Sequence, residues 1–490
     1  MAQARVAADA PVAVRVVVHA PAGLAATALA ALAVRGITGL DAIGATESAR
    51  GDAARDAVAH GDLLAWAFDE PPSAAAVVEL APTCAAGAAA GRPVCVLAPL
   101  ARGSGRIAIE RAAALAYLRA HGAAVAHDVD AWLEAVVLAA RFGVPAGPRA
   151  AVIAAPGSWL AAQAHALVAE AELAGARPLL SDDDEPTDAV LFEAPTTANT
   201  NAAAPRAGTA ALRIPVAPLG ELAGDAVALH GARAAVLAVG LLGRAAQRAA
   251  IGLGPAPREA AAELAIDTER LARQLDKLAR LGTSRAGDHE TKVLLAAYRV
   301  PHTKQAVATT PSAAVTKARA LGFPVELKPY GDTLPTEAAG CPVERDVSSD
   351  AMVRRAYAAV LAAAGRGDDM RDTAVIVREA VQPGRDLAVS FVKLPALGWT
   401  VVLDAPGAAQ VAAAPAPLRL VDANALAAQV VASRVGEPDP DRSELANLLR
   451  RASHLVVDLD AKLVRLDLPR VVVGGRGART LVVDCFCELA

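Results

Sequence analysis

Few residues in this sequence have the type and spacing that nucleophilic or metal chemistry requires. Cys485 and Cys487 lie two residues apart in an apolar, strand-like tail, LVVDCFCEL, where a metal site would need further ligands nearby. The acidic run DDDE at residues 182–185 could bind a cation or form a solvated loop. We expect no metal centre at the cysteines and favour the solvated loop for the acidic run.

The composition limits the class of protein. Of the 490 residues, 54% are apolar but only 3% are aromatic, so the core is built from Ala, Val and Leu, which suits helices packed on parallel sheets. The 48 basic and 52 acidic residues give a net charge of −4, which disfavours a dedicated nucleic-acid binder. Five cysteines with no paired spacing favour a reducing cytosol over a disulfide framework.

Two charge-free spans, residues 16–34 and 150–169, must be distinguished from membrane helices. Each begins with a short apolar run, continues through a Pro/Gly turn (APAG or APGS) and ends in an Ala-rich stretch. This order of segments predicts a strand, a turn and a helix rather than a membrane span. The first residues also lack a clear basic region and cleavage site. We therefore expect a cytoplasmic protein that does not bind membranes.

The same two spans predict two consecutive α/β units of about 135 residues each. Both read as a buried strand, a tight turn and an amphipathic helix, the opening of a βαβ unit. Further predicted strands follow in each unit, at residues 63–68, 93–100, 188–195, 211–218 and 234–242. A helix-rich stretch at 107–143 lies between the units, and a helix over 262–282 closes the second, with SRAGDHE as the linker that follows.

From residue 288 the pattern changes to mixed α+β structure. A helix, a short strand and a second helix precede the predicted strand FPVELK. A helix, the strand AVIVREAV, a hairpin-like pair (RDLAVSFVKLPALGWTVVLDAPG), another helix and two terminal strands complete the segment.

This last segment resembles the ATP-grasp domain of the NDP-forming acyl-CoA synthetases, relatives of succinyl-CoA ligase. The matching stretches are ETKVLLAAYRVPHTKQAVATTPSAAVTKARALGFPVELK, AVIVREAVQPGRDLAVSFVKLPALG, SELANLLRRASHLVVDLDAKLVRLDLP and TLVVDC. The upstream units resemble the family's paired succinyl-CoA-synthetase-like domains. The resemblance implies two flavodoxin-like parallel-sheet domains, residues 1–148 and 149–287, followed by an ATP-grasp domain, residues 288–490.

The resemblance also implies roles for individual residues. In the family, a histidine carries a phosphoryl group between an acyl phosphate and a nucleoside diphosphate, which the ATP-grasp domain binds with Mg²⁺. Lys328 matches the lysine near the nucleotide phosphates, Glu379 falls in the segment that lines the adenine site, and Asp386 falls near the ribose position. Asp484 matches a metal-binding aspartate.

Several family motifs are altered in this sequence. Where the family reads roughly E-L-D-x-N-P, the chain has Arg465 and Pro469 in place of the glutamate and the metal-ligating asparagine. Glu337 falls where the family has a basic residue, and the glycine-rich hairpin loop is reduced to Ala-Pro-Gly at 405–407. The family's phosphohistidine position falls near Glu110 and Arg111, where this chain has no histidine. We therefore expect no catalytic residue there.

We do not expect another histidine to take over the phosphoryl relay. His121 and His127 lie in a turn downstream of the lost position, and His19 lies close to the first turn of the chain. A histidine in a turn is more often a polar turn residue than a relay. We interpret His302 and His454 as structural or surface groups.

These observations predict a degenerate acyl-CoA-synthetase-like protein that is a non-catalytic or partner-dependent scaffold or regulatory subunit. The alternative is an active NDP-forming acyl-CoA ligase with an altered relay or with a partner chain that binds CoA. We expect ATP or ADP binding with Mg²⁺ to be weak or lost. The chain has no G-x-G-x-x-G opening, so we expect CoA to bind only through a partner. A homo-oligomer, or a complex with a CoA-binding or paralogous synthetase subunit, is expected.

Overall fold

The structure, a computed structural model, divides the chain into two compact units, Met1–Gly254 and Pro255–Ala490. The acidic run at 182–185 and the hairpin loop at 405–407 lie outside the described residues. The described residues are 14–43, 47–99, 105–154, 158–163, 177–179, 187–194, 212–218, 228–365, 374–404, 411–430, 440–475 and 477–490.

The first unit opens with a five-stranded parallel sheet in the order β2-β1-β3-β4-β5, which is the flavodoxin-like order. Four of its strands are short runs buried on both faces, as expected for a parallel sheet covered by helices, whereas the edge strand β2 is partly exposed. The strands are β1 (Val16–His19), β2 (Leu40–Ala42), β3 (Leu63–Ala67), β4 (Cys95–Leu97) and β5 (Ala124–Ala126). The helices are α1 (Ala22–Val34), α2 (Glu47–Ala59), α3 (Ala74–Ala89), α4 (Gly105–Ala120) and α5 (Val129–Arg141).

A second five-stranded parallel sheet follows in the order β10-β9-β8-β6-β7. Counted from its own first strand, this sheet also has the order 2-1-3-4-5, so the two sheets share one topology. The strands are β6 (Arg149–Ile153), β7 (Arg177–Leu179), β8 (Ala189–Glu193), β9 (Leu212–Ala217) and β10 (Leu229–His230). The predicted fold class, two consecutive flavodoxin-like sheets, is confirmed.

One predicted strand of this unit is wrong. Residues 234–242 lie inside helix α6 (Ala232–Ile251), because this apolar stretch is part of a twenty-residue amphipathic helix that packs its Val and Leu side chains into the core. A short apolar run cannot be assigned to a strand or a helix from periodicity alone. By length and composition α6 could also cross a membrane, and 50% of its most apolar 18 residues are buried inside the protein.

The second unit contains two antiparallel sheets. A six-stranded sheet has the order β11-β20-β19-β16-β17-β18, and a four-stranded sheet has the order β12-β15-β13-β14. The predicted hairpin is β16 paired with β17. The strands are β11 (Arg285–Ala286), β12 (Gln305–Ala308), β13 (Val325–Pro329), β14 (Glu344–Val347), β15 (Val375–Glu379), β16 (Arg385–Leu394), β17 (Gly398–Asp404), β18 (Ala412–Pro415), β19 (Leu463–Val473) and β20 (Leu481–Leu489).

Helices cover one face of each of these sheets. Two helices pack on the four-stranded sheet around Val325, Leu327, Val375 and Val377, and the others contribute to the larger core of the six-stranded sheet. The helices are α7 (Thr268–Leu281), α8 (Asp288–Ala297), α9 (Pro311–Leu321), α10 (Asp350–Ala363), α11 (Leu420–Val430) and α12 (Arg442–Asp458).

The segment predicted as a linker, SRAGDHE, is instead part of the second unit. Arg285 and Ala286 form β11 and pair with β20, and α8 begins at Asp288. The preceding helix α7 also packs into the core of this unit rather than closing the one before it. It ends at Gly282, which has the left-handed conformation typical of a helix C-cap. The polar composition of 284–290 suggested solvation, but Asp288 and Glu290 are buried among partners far away in the sequence. The domain boundaries at 148/149 and 287/288 stay predictions.

Candidate functional site

A cluster of buried charges lies in the second unit between its two sheets. Strand β13 brings Glu326 and Lys328 to one face, because residues two apart in a strand point the same way, while Val325 and Leu327 face the core. Arg378 on β15 is the cross-strand partner of Glu326, and Asp484 is supplied by β20. Helix α8 adds further charges from its first turn and a half.

Lys328 is held by three carboxylates. Its ammonium is 2.8 Å from Asp484, 3.2 Å from Asp288 and 3.8 Å from Glu337. Burial opposes the charge, but the Asp288 and Asp484 carboxylates outweigh it and raise the pKa of Lys328 above its usual value. Lys328 is therefore a cation already neutralised by residues of the same domain.

Lys292, one turn into α8, is a second buried ammonium. It donates to the Asp288 carboxylate at 3.1 Å, Thr303 Oγ1 at 2.9 Å and the Val483 carbonyl at 2.8 Å, and it also lies 2.8 Å from Gln305 Oε1. Burial lowers the pKa of Lys292, whereas the lysines nearby lower the pKa of Asp288 despite its burial. Asp288 therefore links the two ammonium groups and is ionised in the folded state.

Arg378 is fully buried and binds two carboxylates. Its Nε donates to Glu326 Oε2 at 2.8 Å, and its Nη1 donates to Glu337 and to the Val483 carbonyl. Burial of Glu337 would raise its pKa, but Arg378 and the other cations around it lower the pKa below its usual value. The cluster thus combines carboxylates and cations in nearly equal number, which is the arrangement that lets charges remain buried.

The predicted site residues fall in two groups. Lys328 and Asp484 lie together at the centre of the cluster, and Asp386 touches its edge because Arg470 pairs with both Asp386, at 3.2 Å, and Glu337, at 3.5 Å. Glu379 lies apart. Its carboxylate accepts from the Lys304 amide at 2.9 Å and pairs with Arg479 at 3.3 Å.

A divalent cation does not fit the donors that are present. Asp484 accepts from Lys328 through Oδ1 and from the Glu337 amide, at 2.9 Å, through Oδ2. Asp467 is engaged by Ser390 and Arg465, and burial raises its pKa. Among the described residues, no group of three or more His, Cys, Asp or Glu side chains is placed to hold a metal ion. The role of Asp484 as a metal ligand therefore stays a prediction without geometric support.

The space beside Lys328 is also small. A cavity of about 20 Å³ is lined by the residues around Lys328, which include His289, Tyr330, Cys341 and Asp484. That volume is close to the minimum for a single water molecule, whereas ligand pockets commonly measure roughly 300–1,000 Å³. A nucleotide phosphate at Lys328 would require this region to rearrange.

The residues predicted to lie at the family's phosphohistidine position belong to the first unit. Glu110 and Arg111 are on α4, where Glu110 pairs with Arg106 at 2.7 Å in a partly exposed (i, i+4) pair. His121 Nδ1 lies 2.8 Å from the Tyr117 carbonyl, and His127 lies between the Ala98 carbonyl and Arg119.

The other three histidines considered from the sequence also have local contacts. The His19 ring contacts the Trp66 ring in a tilted arrangement with ring centroids 4.0 Å apart. His302 Nδ1 lies 2.8 Å from the Val300 carbonyl, and His454 lies 3.3 Å from Glu259. Cys485 and Cys487 are both buried free thiols.

Sequence reasoning missed four members of the cluster: Asp288, Lys292, Glu326 and Arg378. Two signals were available. Lysine is scarce, with seven in the chain, and the DHETK stretch places Lys292 one helical turn after Asp288. The alternation of Glu326 and Lys328 in the strand VELK also indicated two charges on one face.

Comparison with known proteins identifies the class of the second unit. Residues 277–489 match the ATP-grasp domain family, so this part of the chain is an ATP-grasp domain. The chain is homologous to the beta subunit of acetate–CoA ligase [ADP-forming] II from Pyrococcus furiosus. The two are 21% identical over 221 residues, which is 43% of this chain and 94% of the relative. The resemblance to ADP-forming acyl-CoA synthetases is thereby confirmed for this segment.

Two solved structures are also similar. The dinucleotide forming acetyl-coenzyme A synthetase 1 of Ca. Korarchaeum cryptofilum, solved with coenzyme A, Ca-AMPCP and HgCl⁺, is 24% identical with a TM-score of 0.40, over 44% of this chain and 98% of that one. A protein from Pyrococcus horikoshii Ot3 is 22% identical with a TM-score of 0.41, over 45% of this chain and 98% of that one.

Proposed function

We propose that this chain is a non-catalytic, partner-dependent relative of the ADP-forming acyl-CoA synthetase subunits, acting as a cytoplasmic scaffold or regulatory subunit. The observation that supports the proposal is the engagement of Lys328 and Asp484 by each other and by neighbouring residues of the ATP-grasp domain. A lysine paired with carboxylates at 2.8 and 3.2 Å attracts phosphate weakly, because the field of the carboxylates opposes an anion.

The proposal includes weak nucleotide binding. Each charged contact that is lost costs about 1–3 kcal/mol. Two or three lost contacts reduce the affinity by about two to five decades, so a micromolar site becomes millimolar or disappears. Arg465 and Pro469 replace a glutamate and a metal-ligating asparagine of the family pattern, so the binding that remains is independent of Mg²⁺. The chain forms a homo-oligomer or a complex with a CoA-binding or paralogous synthetase subunit, and any CoA binds through such a partner chain.

The alternative is an active ADP-forming ligase, supported by the match of residues 277–489 to the ATP-grasp family. A turnover assay separates the two. The purified chain is incubated with ATP, Mg²⁺, acetate or succinate, and CoA, and ADP and the thioester are measured. We expect no product above that of a Lys328→Ala variant. A second variant, Lys317→Ala, alters an exposed lysine of α9 and controls for substitution itself. Product from the wild type and Lys317→Ala, but not from Lys328→Ala, would establish the ligase.

Calorimetry tests nucleotide binding separately. ATP is titrated into the wild-type chain with Mg²⁺ and again with EDTA. We expect a millimolar dissociation constant or none, unchanged by EDTA. A low-micromolar constant that disappears with EDTA would contradict the proposal, because it requires a metal site.

A further inference from the structure

Two arginines of the first unit have no carboxylate to balance them. Arg119 lies in the last turn of α4 and Arg244 lies in α6, and among the described residues no aspartate or glutamate pairs with either. Arg244 Nη1 is a buried atom without a hydrogen-bond partner there. A charge taken out of water costs free energy unless an opposite charge or hydrogen bonds compensate it. This part of the fold therefore holds two cations without supplying an anion for them.

The fold brings the two guanidinium groups together beside His127. The chain just after α6 is joined to the last residue of α4 by a hydrogen bond from the Gly254 amide to the Ala120 carbonyl, at 2.8 Å. Burial and the Arg119 charge lower the pKa of Arg244 to about 10. Burial also lowers the pKa of His127, and both arginine charges lower it further. The two guanidinium groups are thus close enough to repel each other, and the fold keeps them there.

His127 orients Arg119 without neutralising it. Its Nδ1 lies 2.9 Å from the Ala98 carbonyl, and its Nε2 lies 2.7 Å from Arg119 Nη2. Because Nδ1 can only donate to a carbonyl, Nε2 of the neutral ring accepts from the guanidinium. The imidazole fixes the direction of Arg119 but brings no negative charge. Among the described residues the other N–H groups of Arg119 have no acceptor, so they are available to a ligand.

The carboxylate next to His127 in the chain is already engaged. Asp128 accepts the Ala131 amide at 2.7 Å as the N-cap of α5, and it lies 3.5 Å from Arg233. Helix α6 contains three arginines and no acidic residue, so the charge on this side of the unit stays positive. Arg119 is exposed and Arg244 is half-buried, which lets a ligand reach both groups from solvent.

We propose that Arg119 and Arg244 form a binding site for a small dianion with oxygen acceptors, and that His127 positions Arg119 in it. Two guanidinium groups match two negative charges, and their N–H groups fit the oxygens of a sulfate, a phosphate or a dicarboxylate. Arg119 lies about 12 Å along α4 from Arg111, so the site is separate from the family's phosphohistidine position. The inference goes beyond the proposed function, because it does not involve the ATP-grasp domain.

Inorganic sulfate is the probe for the first test. Binding of labelled sulfate to the full chain is measured by equilibrium dialysis at constant ionic strength, for the wild type, Arg244→Gln and Arg106→Gln. Arg106 is an exposed arginine near the start of the same helix α4, and Arg106→Gln removes an equal charge as the matched control. We expect saturable binding to the wild type and Arg106→Gln, and at least about 10-fold weaker binding to Arg244→Gln.

A second measurement distinguishes an anion site from a structural role of the arginine. Without sulfate, Arg244→Met should slow the hydrogen exchange of α6 peptides at least about threefold, because it removes a desolvated charge that has no partner. Faster exchange in Arg244→Met would show that Arg244 stabilises the fold and would contradict the proposal. Proteins often lose stability at sites that are built to bind a ligand.

The pKa of His127 gives a third and local measurement. Saturating sulfate should raise the pKa of His127 by about one unit, because the anion offsets the two arginine charges that lower it. Nuclear magnetic resonance of the imidazole protons, assigned with His127→Gln, follows this titration. An unchanged pKa of His127 in saturating sulfate would place the anion elsewhere and contradict the proposal.

Competition with labelled sulfate identifies the chemistry of the ligand. Displacement by phosphate and not by succinate assigns a tetrahedral group, whereas displacement by succinate assigns a dicarboxylate. Acetate carries one charge and should compete at least about 10-fold more weakly than either dianion. Acetate that competes as well as the dianions would contradict a site for two negative charges.

The site is overturned if the wild type binds no sulfate, or if the wild type, Arg106→Gln and Arg244→Gln bind it equally. If Arg244→Gln does not fold, Arg119→Gln tests the site from the other helix, and wild-type affinity in that variant would also overturn it. None of these measurements uses turnover or a nucleotide. The proposed function can therefore fail in its own assays while the sulfate measurements decide this site.

Discussion

The two units use buried charge in different ways. In the first unit, the Arg35 guanidinium, just after α1, donates to Glu134 of α5 at 2.9 Å. Glu134 also accepts from the His230 amide at 3.0 Å, so this single pair ties the helices beside the first sheet to β10 of the second. In the second unit, four carboxylates and their cations form one continuous network.

The difference shows how context changes the function of the same residue types. An Arg–Glu pair that also binds backbone groups positions two sheets and leaves few polar atoms to satisfy. A network of several pairs leaves each carboxylate dependent on more than one cation, so the loss of one member affects the others. Three substitutions test this contrast.

The largest effect is expected from Arg378→Met. The change leaves Glu326 and Glu337 without their buried guanidinium, and breaking a buried ion pair costs about 3–5 kcal/mol. Hydrogen exchange of peptides from β13 and β15 measures the loss of stability of the second unit. Arg345→Met is the matched control, because Arg345 also pairs with Glu337 but is 49% exposed, and its loss should cost less than about 1 kcal/mol. Equal losses from the two variants would argue against a buried network.

A smaller effect is expected from Glu134→Ala in the first unit. Arg35 would lose its carboxylate, but its side chain is 12% exposed and can reach water, so we expect a loss of about 2–3 kcal/mol. The double variant Arg35→Met/Glu134→Leu should recover most of this loss, because an apolar replacement removes both desolvated charges. Hydrogen exchange of peptides from α5 and β10 measures the stability of each variant. A double variant that is less stable than Glu134→Ala would show that the attraction between Arg35 and Glu134 exceeds the free-energy cost of removing both charges from water.

The smallest effect is expected from His127→Gln, and it depends on pH. Burial, followed by the Arg119 charge, lowers the pKa of His127 to about 4. The group binds a proton less readily folded than unfolded, so its contribution to stability is complete above pH 6.5 and is lost as the pH falls toward 4. The full pKa difference would correspond to roughly 3 kcal/mol, but His127 is only half-buried and solvent weakens the effect, so between those values the wild type should lose about 1 kcal/mol more than His127→Gln. Hydrogen exchange of peptides from α4 and β5, measured as the pH is lowered, tests this prediction, and His60→Gln, at an exposed histidine, is the control. Equal losses of stability with falling pH in the wild type and in His127→Gln would contradict it.

Much of the fold follows from local sequence pattern. The apolar run, Pro/Gly turn and Ala-rich helix near residue 16 predicted β1 and α1, and the similar pattern near residue 150 predicted β6. The local pattern failed at residues 234–242, where a long apolar helix looked like a strand, and at 284–290, where charged residues looked like a solvated linker.

The candidate site was less predictable because its contacts are distant in sequence. The resemblance predicted Lys328 and Asp484 as site residues. They are separated by 156 residues in the sequence, and Lys328 Nζ lies 2.8 Å from Asp484 Oδ1. The resemblance did not predict Arg378 or Asp288. Their importance comes from the burial of Glu337 and of both lysines, which is a property of the folded domain and not of any one segment.

The pairing of β11 with β20 has a consequence for self-association. The outer edge of β20 is covered by β11 near its end and by an isolated bridge from His302 to Val482 near its start. At the opposite edge of this sheet, β18 is a four-residue strand that ends in Pro415. Short edges and prolines discourage another chain from adding a strand. The six-stranded sheet is thereby protected against fibre-like stacking of strands, and we expect any complex to form through side-chain surfaces and not by extension of this sheet.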